Sequence, residues 1–427
     1  MNILLIGNGF DLAHELPTRY FDFLNFLRIV RPGVNIIQGS IDKRISDFIH
    51  NHKNREVKSH ILNLFIDNPW FNYFDEKNTK ENKNWCDFES DIEILTKQLE
   101  KLKVNLDESR FFKLNSNTSS QIDYTFLSYI LPSYIKKMSK VQYPHLLEFN
   151  GFNVSIHGKA LNITLSIDNE DDFANLIAIP TNRGDTININ FEKLIKYILK
   201  ELDDFTKAFE LYISYFIEHL KIKKIKLIYS LINLPSGDET KIINFNYTNT
   251  ALKYLAPKSE EANICFIHGR ARTDDSHNIV LGIDEKDNND IEPTFTPFRK
   301  YFQRALKSCD RKYRDWVNTI EEENQAAMLQ VYQDNVAEHY LFIIGHSLTL
   351  SDRVILKELI TLENMNTIII FHDEANKINL MQNLAAILGY KEFSALMERE
   401  SIKFELGDFQ YDPVAATFDN FFRPIIK

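Results

Sequence analysis

Short apolar runs that lack polar alternation recur at the beginning of the chain and throughout its second half. The first run spans Asn2–Ile6, and an apolar run of this length predicts a strand buried on both faces of a parallel sheet. Further strands are predicted at 242–245, 263–267, 278–281, 340–344, 366–371 and 403–406. Segments with helical spacing separate most of these runs. The pattern therefore predicts an α/β fold with a Rossmann-type parallel sheet as its core.

The middle of the chain follows a different pattern. Segments rich in Lys, Glu, Leu and Phe predict helices at 43–50, 58–67, 87–102, 124–139 and 191–230. Between 151 and 189 the sequence alternates and β-branched residues become frequent, which predicts a small hairpin or sheet. We therefore expect a core made of residues 1–30 and 241–427, interrupted by a mostly helical insertion of residues 31–240.

A glycine turn directly follows the first predicted strand. Gly7 and Gly9 flank Asn8, and the break at 16–18 precedes a helix predicted from Arg19 to Val30. A strand, a glycine turn and a helix in this order direct backbone N–H groups at a phosphate. We expect a loop over this turn. The usual dinucleotide fingerprint has a third glycine where this chain has Leu12, which disfavours an ordinary dehydrogenase and leaves a ligand-free tight turn as the alternative.

Glycines and polar side chains follow most of the predicted strands. Ligands in open α/β sheets lie outside the carboxyl ends of the strands, so these residues predict a nucleotide-binding core. The predicted binding residues are Gly7, Asn8, Gly9, Phe10, Asp11, Thr18, Thr248, Gly269, Asp284, Gly345, His346 and Ser347. Ser351 and Asp352 are expected to cap the helix that follows them. The alternative for any single residue is that loops are simply polar.

Two further residues at strand ends could carry chemistry. Asn246 could orient a water molecule or a ribose hydroxyl, because its amide offers both a donor and an acceptor. His268 could act as a general base near neutral pH. An N-glycosidic bond to nicotinamide already has a cationic leaving group, so positioning and a base suffice for its cleavage. A structural histidine is the alternative for His268 alone.

Composition limits the classes of function. The net charge is −10 and the longest basic stretch is KIKKIK at 221–226, which argues against sequence-specific binding to duplex DNA. The chain has only three cysteines, Cys86, Cys265 and Cys309, with no close pair, which suits a reducing cytoplasm and predicts no structural zinc or other metal. No apolar run is long enough to span a membrane, and no signal peptide is expected.

Several of these motifs together resemble the bacterial abortive-infection AbiH family. They are GNGFD and LPT at the start, NFNYTN, IHG, LGID, KYFQR, and IGHSL followed by SD. Three pieces also resemble the sirtuin-like NAD-binding fold. These are the glycine turn with its Pro-containing loop, the pair formed by Asn246 and the His268–Gly269 step, and the IGHSL loop. The resemblance departs at Thr248, where sirtuins have an acid, at Asp11, where they have Ser, and in the missing zinc cysteines.

The resemblance implies an anti-phage effector that binds NAD and hydrolyses it at the N-glycosidic bond, with Asn246 and His268 as the catalytic pair. The absence of zinc cysteines argues against protein deacylation. A non-catalytic nucleotide sensor or partner-binding protein is one alternative. A nuclease is another, if Asp11, Asp284 and Asp373 converge on a metal ion. A phage-derived trigger and a homo-oligomer are both compatible with this interpretation.

Overall fold

The structure is a computed structural model of the 427-residue chain. It describes residues 1–31, 45, 48, 51, 54–81, 87–109, 112–113, 129–130, 133–134, 152–157, 160–165, 186–187, 191–220, 240–255, 263–274, 276–284, 292–329, 338–407, 409–410 and 423–424. The predicted helices at 43–50 and 124–139 lie almost entirely outside these ranges.

The main feature of the described residues is a six-stranded parallel sheet. Its strands in chain order are β1 (Asn2–Ile6), β2 (Lys241–Asn244), β3 (Ile264–Phe266), β4 (His339–Ile344), β5 (Met365–Phe371) and β6 (Ile402–Leu406). They lie side by side in the order β3-β2-β1-β4-β5-β6. This is the doubly wound order, in which the chain reverses direction across the sheet between β1 and β4. The predicted α/β fold with a parallel sheet is confirmed.

Helices connect and flank the strands. In chain order they are α1 (Asn8–Ala13), α2 (Tyr20–Val30), α3 (Arg55–Phe65), α4 (Pro69–Glu81), α5 (Phe88–Ser109), α6 (Phe191–Tyr215), α7 (Thr250–Tyr254), α8 (Lys300–Leu306), α9 (Lys312–Leu329), α10 (Arg353–Ile360), α11 (Glu374–Leu388) and α12 (Tyr390–Glu398). Short 3₁₀ turns lie at Ile217–His219, Pro293–Phe298 and Leu350–Asp352.

The sheet is buried on both faces, as apolar strands without alternation predict. On one face, side chains of α9, α10 and α11 pack against Leu5 and Ile343. On the other face, Phe10 from α1 and Ala251 from α7 pack against Ile6. Burying both faces fixes the sheet, so the loops at the carboxyl ends of its strands are held on a rigid frame.

The chain divides into two compact units. The first comprises residues 1–58, 209–285 and 300–427, and it contains the sheet. The second comprises residues 59–208 and 286–299, so the boundary near residue 208 falls within α6. The predicted boundaries at 30 and 240 differ from these, because they assign 31–58 and 209–240 to the insertion and 286–299 to the core.

An aromatic cluster organises the second unit. Phe74 stacks on Phe88 with ring centroids 4.4 Å apart, and Phe88 meets Phe205 edge-on at 5.2 Å. The buried indole of Trp70 donates a hydrogen bond to the carbonyl of Ile198 at 3.0 Å. These contacts join α4, α5 and α6. The hairpin predicted between 151 and 189 is present as an antiparallel pair of strands, Phe152–His157 and Ala160–Leu165.

Three local predictions are wrong. The residues after Gly7 form α1 rather than a loop over the turn. The helix predicted at 191–230 ends at Tyr215 within its described part. The segment 278–281 does not form a strand. The Gln303 side chain satisfies the backbone of Leu281 instead, because its amide oxygen accepts from Leu281 N and its amide nitrogen donates to Leu281 O.

No helix in the described part of the chain is both long enough and apolar enough to cross a membrane.

Candidate functional site

The glycine turn after β1 is locked to the loop after β4. The N–H of Gly7 donates to the carbonyl of Ile344 at 3.0 Å, and the N–H of Gly9 donates to the carbonyl of Gly345 at 2.8 Å. The N–H of Phe10 donates to Gly7 O at 2.9 Å within the chain's own turn. Three of the four N–H groups between Gly7 and Phe10 therefore already have acceptors.

Close packing of the two loops explains why glycines occupy this turn. A Cβ on Gly9 would lie 2.6 Å from the Cα of Gly345, and a Cβ on Gly345 would lie 2.4 Å from the N of Phe10. Gly345 also has a φ of +66°, a conformation that favours glycine. The backbone of the facing loop therefore occupies the space that a side chain would need at these two positions. Phosphate binding by Gly7 and Gly9 stays a prediction.

A buried acid lies beneath the glycine turn. Asp11 on α1 is 1% exposed, and both of its carboxylate oxygens are within 2.9 Å of the Thr248 hydroxyl. That hydroxyl is also 3.0 Å from the hydroxyl of Thr250. Burial raises the pKa of the Asp11 carboxyl to about 7, although hydrogen bonds from the two threonines oppose the rise. Asp11, after β1, and Thr248, after the neighbouring strand β2, therefore hydrogen-bond to each other, and binding of a ligand by either stays a prediction.

Asn246 joins the end of β2 to the end of β1. It is 5% exposed, and its side-chain amide donates to the carbonyl of Gly7 at 2.9 Å. Its own N–H donates to the side-chain oxygen of Asn244 at 2.9 Å. Strands β2 and β3 are adjacent, so Asn246 and His268 follow neighbouring strands. One amide hydrogen of Asn246 is used to hold the glycine turn, and orientation of a ligand by its carbonyl oxygen stays a prediction.

His268, at the carboxyl edge of the sheet, is hydrogen-bonded to a carboxylate. It follows β3, is 3% exposed, and its Nε2 lies 2.8 Å from a carboxylate oxygen of Asp352. Because an ionised carboxylate can only accept, Nε2 carries the proton and Nδ1 carries a lone pair. No hydrogen-bond partner reaches Nδ1 within the described part of the chain. The ring is thus held in one tautomer with a buried, unused acceptor.

Asp352 gathers three side chains. Its Oδ1 accepts from the ammonium of Lys300 at 2.7 Å as well as from His268. Its Oδ2 lies 3.5 Å from Nε2 of His346, whose Nδ1 accepts from the N–H of Leu348 at 3.0 Å. That acceptor role places the His346 proton on Nε2, facing the carboxylate. Asp352 therefore sits at the centre of a buried charged cluster.

The charges in this cluster set its protonation states. Burial, together with the nearby Lys300 cation, lowers the pKa of His268 to about 4, although Asp352 opposes the change. The pKa of Asp352 stays well below its usual value because Lys300 and His268 more than offset the cost of burying the carboxylate. At neutral pH the cluster therefore contains a neutral imidazole, a carboxylate and an ammonium.

The phenyl ring of Phe245 fixes the position of both histidines. Its centroid is 5.2 Å from that of His268 and 4.6 Å from that of His346, and both contacts are edge-on. Phe245 follows β2, so it separates the loops after β3 and β4. The structure thus brings His268 and His346 into one cluster, which the sequence placed only at the same edge of the sheet.

Other predicted residues have local roles. Thr18 donates to the side-chain oxygen of Asn8 at 2.6 Å. Gly269 has a φ of +83°, and a Cβ there would lie 2.0 Å from the carbonyl oxygen of Asn278. Asp284 lies 3.9 Å from Nε of Arg353. Ser347 is exposed, and its carbonyl accepts from Asn383 at 2.8 Å.

Two residues of the cluster, Asp352 and Lys300, are missing from the predicted site. Asp352 occupies the N-cap position of α10, but its side chain makes no capping bond, so the capping prediction is wrong. The carboxylate turns to Lys300 and His268 instead. In the sequence, the two residues are marked only by their place in the SD and KYFQR motifs. Neither directly follows a predicted strand, which was the criterion for choosing site residues.

The acids proposed for a nuclease site have separate partners. Asp11 bonds to Thr248, Asp284 lies near Arg353, and Asp373 caps α11 by accepting from Asn376 N at 2.7 Å. Within the described ranges, no three His, Cys, Asp or Glu side chains are grouped so that they could hold a metal ion.

Comparison with known protein families gives a match over most of the chain. Neither a curated protein nor a solved structure matches the chain significantly. Residues 3–373, most of the chain, match the family model described as bacteriophage abortive infection AbiH. The matched range contains both predicted catalytic residues and every member of the Asp352 cluster. The chain therefore belongs to the AbiH family of bacteriophage abortive-infection proteins.

Proposed function

We propose that this protein is an NAD glycohydrolase of abortive infection, in which neutral His268 is the general base. Membership of the AbiH family supplies the defence role. The observation that carries the catalytic part is the buried Nδ1 of His268, which has no hydrogen-bond partner among the described residues, on a ring whose other nitrogen donates to Asp352. A base oriented by a second group is the common arrangement for activating a nucleophile.

The proposed reaction is a hydrolysis. A water molecule attacks C1′ of the nicotinamide ribose, the C–N bond breaks, and its electron pair neutralises the nicotinamide ring. The water proton passes to Nδ1 of His268, and the resulting imidazolium is stabilised by the Asp352 carboxylate. Asn246 orients the water or a ribose hydroxyl in this scheme. The products are nicotinamide and ADP-ribose.

A low pKa has two opposite effects on this base. It keeps His268 in the neutral form at every pH near 7, so the whole population is ready to accept a proton. It also weakens the base. The adjacent carboxylate compensates in part, because the proton arrives on a ring already held against an anion.

Support for NAD itself comes from the sequence. The order of the glycine turn, Asn246 and the His268–Gly269 step resembles the sirtuin-like fold. The strand order supports a nucleotide ligand more generally, since doubly wound sheets bind such ligands at the carboxyl ends of their strands.

Nicotinamide release by purified protein tests the proposal. Replacement of His268 by Ala should slow release by about 10²- to 10⁴-fold, the usual contribution of a positioned base. Asn246→Ala should have a comparable effect if the two residues act as a unit. His372→Ala is a matched control, because His372 also follows a strand of the same sheet and lies 3.4 Å from a carboxylate, that of Asp373. It should leave release unchanged.

A nucleotide sensor without turnover is the second candidate. It is favoured by the near-complete burial of His268, which is only 3% exposed and so offers little access to a substrate. Wild-type protein that binds NAD in a thermal-shift assay but releases no nicotinamide, with phage present or absent, would replace the hydrolase by this sensor.

A further inference from the structure

Arg304 is a buried cation that forms no ion pair with any carboxylate in the described part of the chain. It lies on α8, one helical turn after Lys300, and is 8% exposed. Its Nε atom has no hydrogen-bond partner, and in the described ranges no carboxylate forms an ion pair with its guanidinium. Its guanidinium carbon lies 6.0 Å from the centroid of the Tyr301 ring.

An uncompensated buried charge is unfavourable. Removing a guanidinium from water costs more than a ring contact returns, and buried charges are normally paired with an opposite charge. Lys300, four residues earlier on the same helix, follows this rule through Asp352. Arg304 does not follow it, so we infer that its countercharge is a ligand.

Arg304 lies close enough to the Asp352 cluster for its charge to act on His268. Its charge is one of those that lower the pKa of His268, together with that of Lys300. Arg304 also follows Lys300, a member of the Asp352 cluster, by one turn of α8. Among the described residues, two groups in this region therefore have no hydrogen-bond partner, the lone pair on Nδ1 of His268 and the Nε–H of Arg304. One ligand would satisfy both groups if it placed its reacting centre at Nδ1 of His268 and an anionic group at the Nε–H of Arg304.

We propose that Arg304 binds a phosphate group of the substrate beside His268. The planar guanidinium presents a fork of donors that matches two phosphate oxygens. Three of the four backbone N–H groups of the glycine turn, the expected phosphate site, already have carbonyl acceptors within the chain. The substrate class is therefore a phosphorylated nucleotide held by a side chain. This assignment rests on the proposed function for the reaction, but not for anion binding.

Arg311 provides a matched control. It is exposed, and its guanidinium carbon lies 5.7 Å from the same Tyr301 ring. Arg304→Met and Arg311→Met remove the same charge and the same kind of ring contact. They differ in burial and in proximity to His268.

The experiment measures pyrophosphate binding by calorimetry and thermal shift on the full chain. Wild type and Arg311→Met should bind pyrophosphate and gain Tm equally. Arg304→Met should lose affinity by about tenfold to hundredfold, as expected for charge-assisted hydrogen bonds. Its Tm without ligand should rise, because an unpaired buried charge has been removed. Arg304→Lys should bind with intermediate affinity, and malonate should stabilise wild type less than pyrophosphate.

Several results would overturn the assignment. They are a wild type that does not bind pyrophosphate, equal binding by Arg304→Met, or an Arg304→Met protein that fails to fold or has a lower Tm. The last would show that the guanidinium is structural. Nicotinamide release is measured in parallel. Pyrophosphate binding that depends on Arg304, without release of nicotinamide, would reject the NAD hydrolase and keep the phosphate site. Release of nicotinamide without Arg304-dependent pyrophosphate binding would reject the phosphate site and keep the NAD hydrolase.

Discussion

Two buried groups of this protein should make its stability depend on pH in opposite directions. Burial lowers the pKa of His268 to about 4 and raises that of Asp11 to about 7. Below pH 6.5 the unfolded chain protonates His268 but the folded chain does not, so this residue lowers the free energy of unfolding as the pH falls towards 4. Asp11 binds a proton in the folded chain below pH 7, so it raises that free energy over the same range.

The two contributions are similar in size. At about 1.4 kcal/mol per pH unit, the interval from 6.5 to 4 for His268 corresponds to about 3 kcal/mol. The interval from 7 to 3.8 for Asp11 corresponds to about 4 kcal/mol of opposite sign. Wild type should therefore show a weak net dependence from this pair. Asp352 does not titrate here, because its pKa lies well below 3.8.

Single substitutions should separate the two effects. Relative to wild type, Asp11→Asn should lose about 4 kcal/mol of stability when the pH is lowered from 7 to 4, because it cannot gain the folded-state proton. His268→Gln should gain about 3 kcal/mol relative to wild type over the same change. Burial also lowers the pKa values of His14, His339 and His372, but these residues are common to all variants and cancel in the difference.

Urea denaturation followed by circular dichroism at a series of pH values provides the test. The quantity of interest is the difference in unfolding free energy between variant and wild type, plotted against pH. Asp11→Asn keeps the shape of the side chain, His268→Gln keeps hydrogen-bonding atoms of similar reach, and both substitutions remove the titration of the group. A difference that stays constant with pH for either variant would show that the corresponding pKa is not shifted, and the assigned protonation state would be wrong.

Three further predictions concern packing and charge. Gly9→Ala should destabilise the protein by about 1–3 kcal/mol in urea denaturation, because its Cβ meets the backbone after β4, and an unchanged midpoint would refute the locked turn. Asp352→Asn should cost about 3–5 kcal/mol by leaving Lys300 unpaired, and adding Lys300→Met should restore part of it; no recovery in this double-mutant cycle would contradict the pairing. Thr248→Val should raise the pKa of Asp11 above that of wild type, measured by NMR titration of the carboxyl, and a lowered pKa would contradict the hydrogen bond.

The sheet could be predicted from the sequence because its signal is local. Runs such as Asn2–Ile6 and 366–371 are apolar without alternation, and this pattern allows few alternatives to a strand buried on both faces. Because the strands are parallel, the polar residues that follow them lie at the same edge of the sheet, at the carboxyl ends of the strands. Asn246 and His268 were therefore placed on neighbouring strands correctly.

Other features depend on contacts that the sequence does not encode locally. Helix α1 has six residues and contains a glycine, so propensity gives it little support, and packing of Phe10 into the core stabilises it. Asp352 has the typical position of a helix cap, yet its partner His268 lies 84 residues earlier in the chain. Local pattern predicted the position of Asp352 and missed its contacts for this reason.

The strand order explains why the contact between His268 and Asp352 depends on the strands that lie between them. His268 follows β3, whereas Asp352 lies after β4, and β1 and β2 separate these strands. With strands about 4.8 Å apart, the two loops start roughly 14 Å from each other. The segment after β4 must therefore cross the ends of β1 and β2, where it meets the glycine turn and Phe245. The contact between Gly9 and Gly345 that closes the turn also sets the path by which Asp352 reaches His268. A substitution in the glycine turn is thus expected to disturb the histidine cluster without touching any of its members.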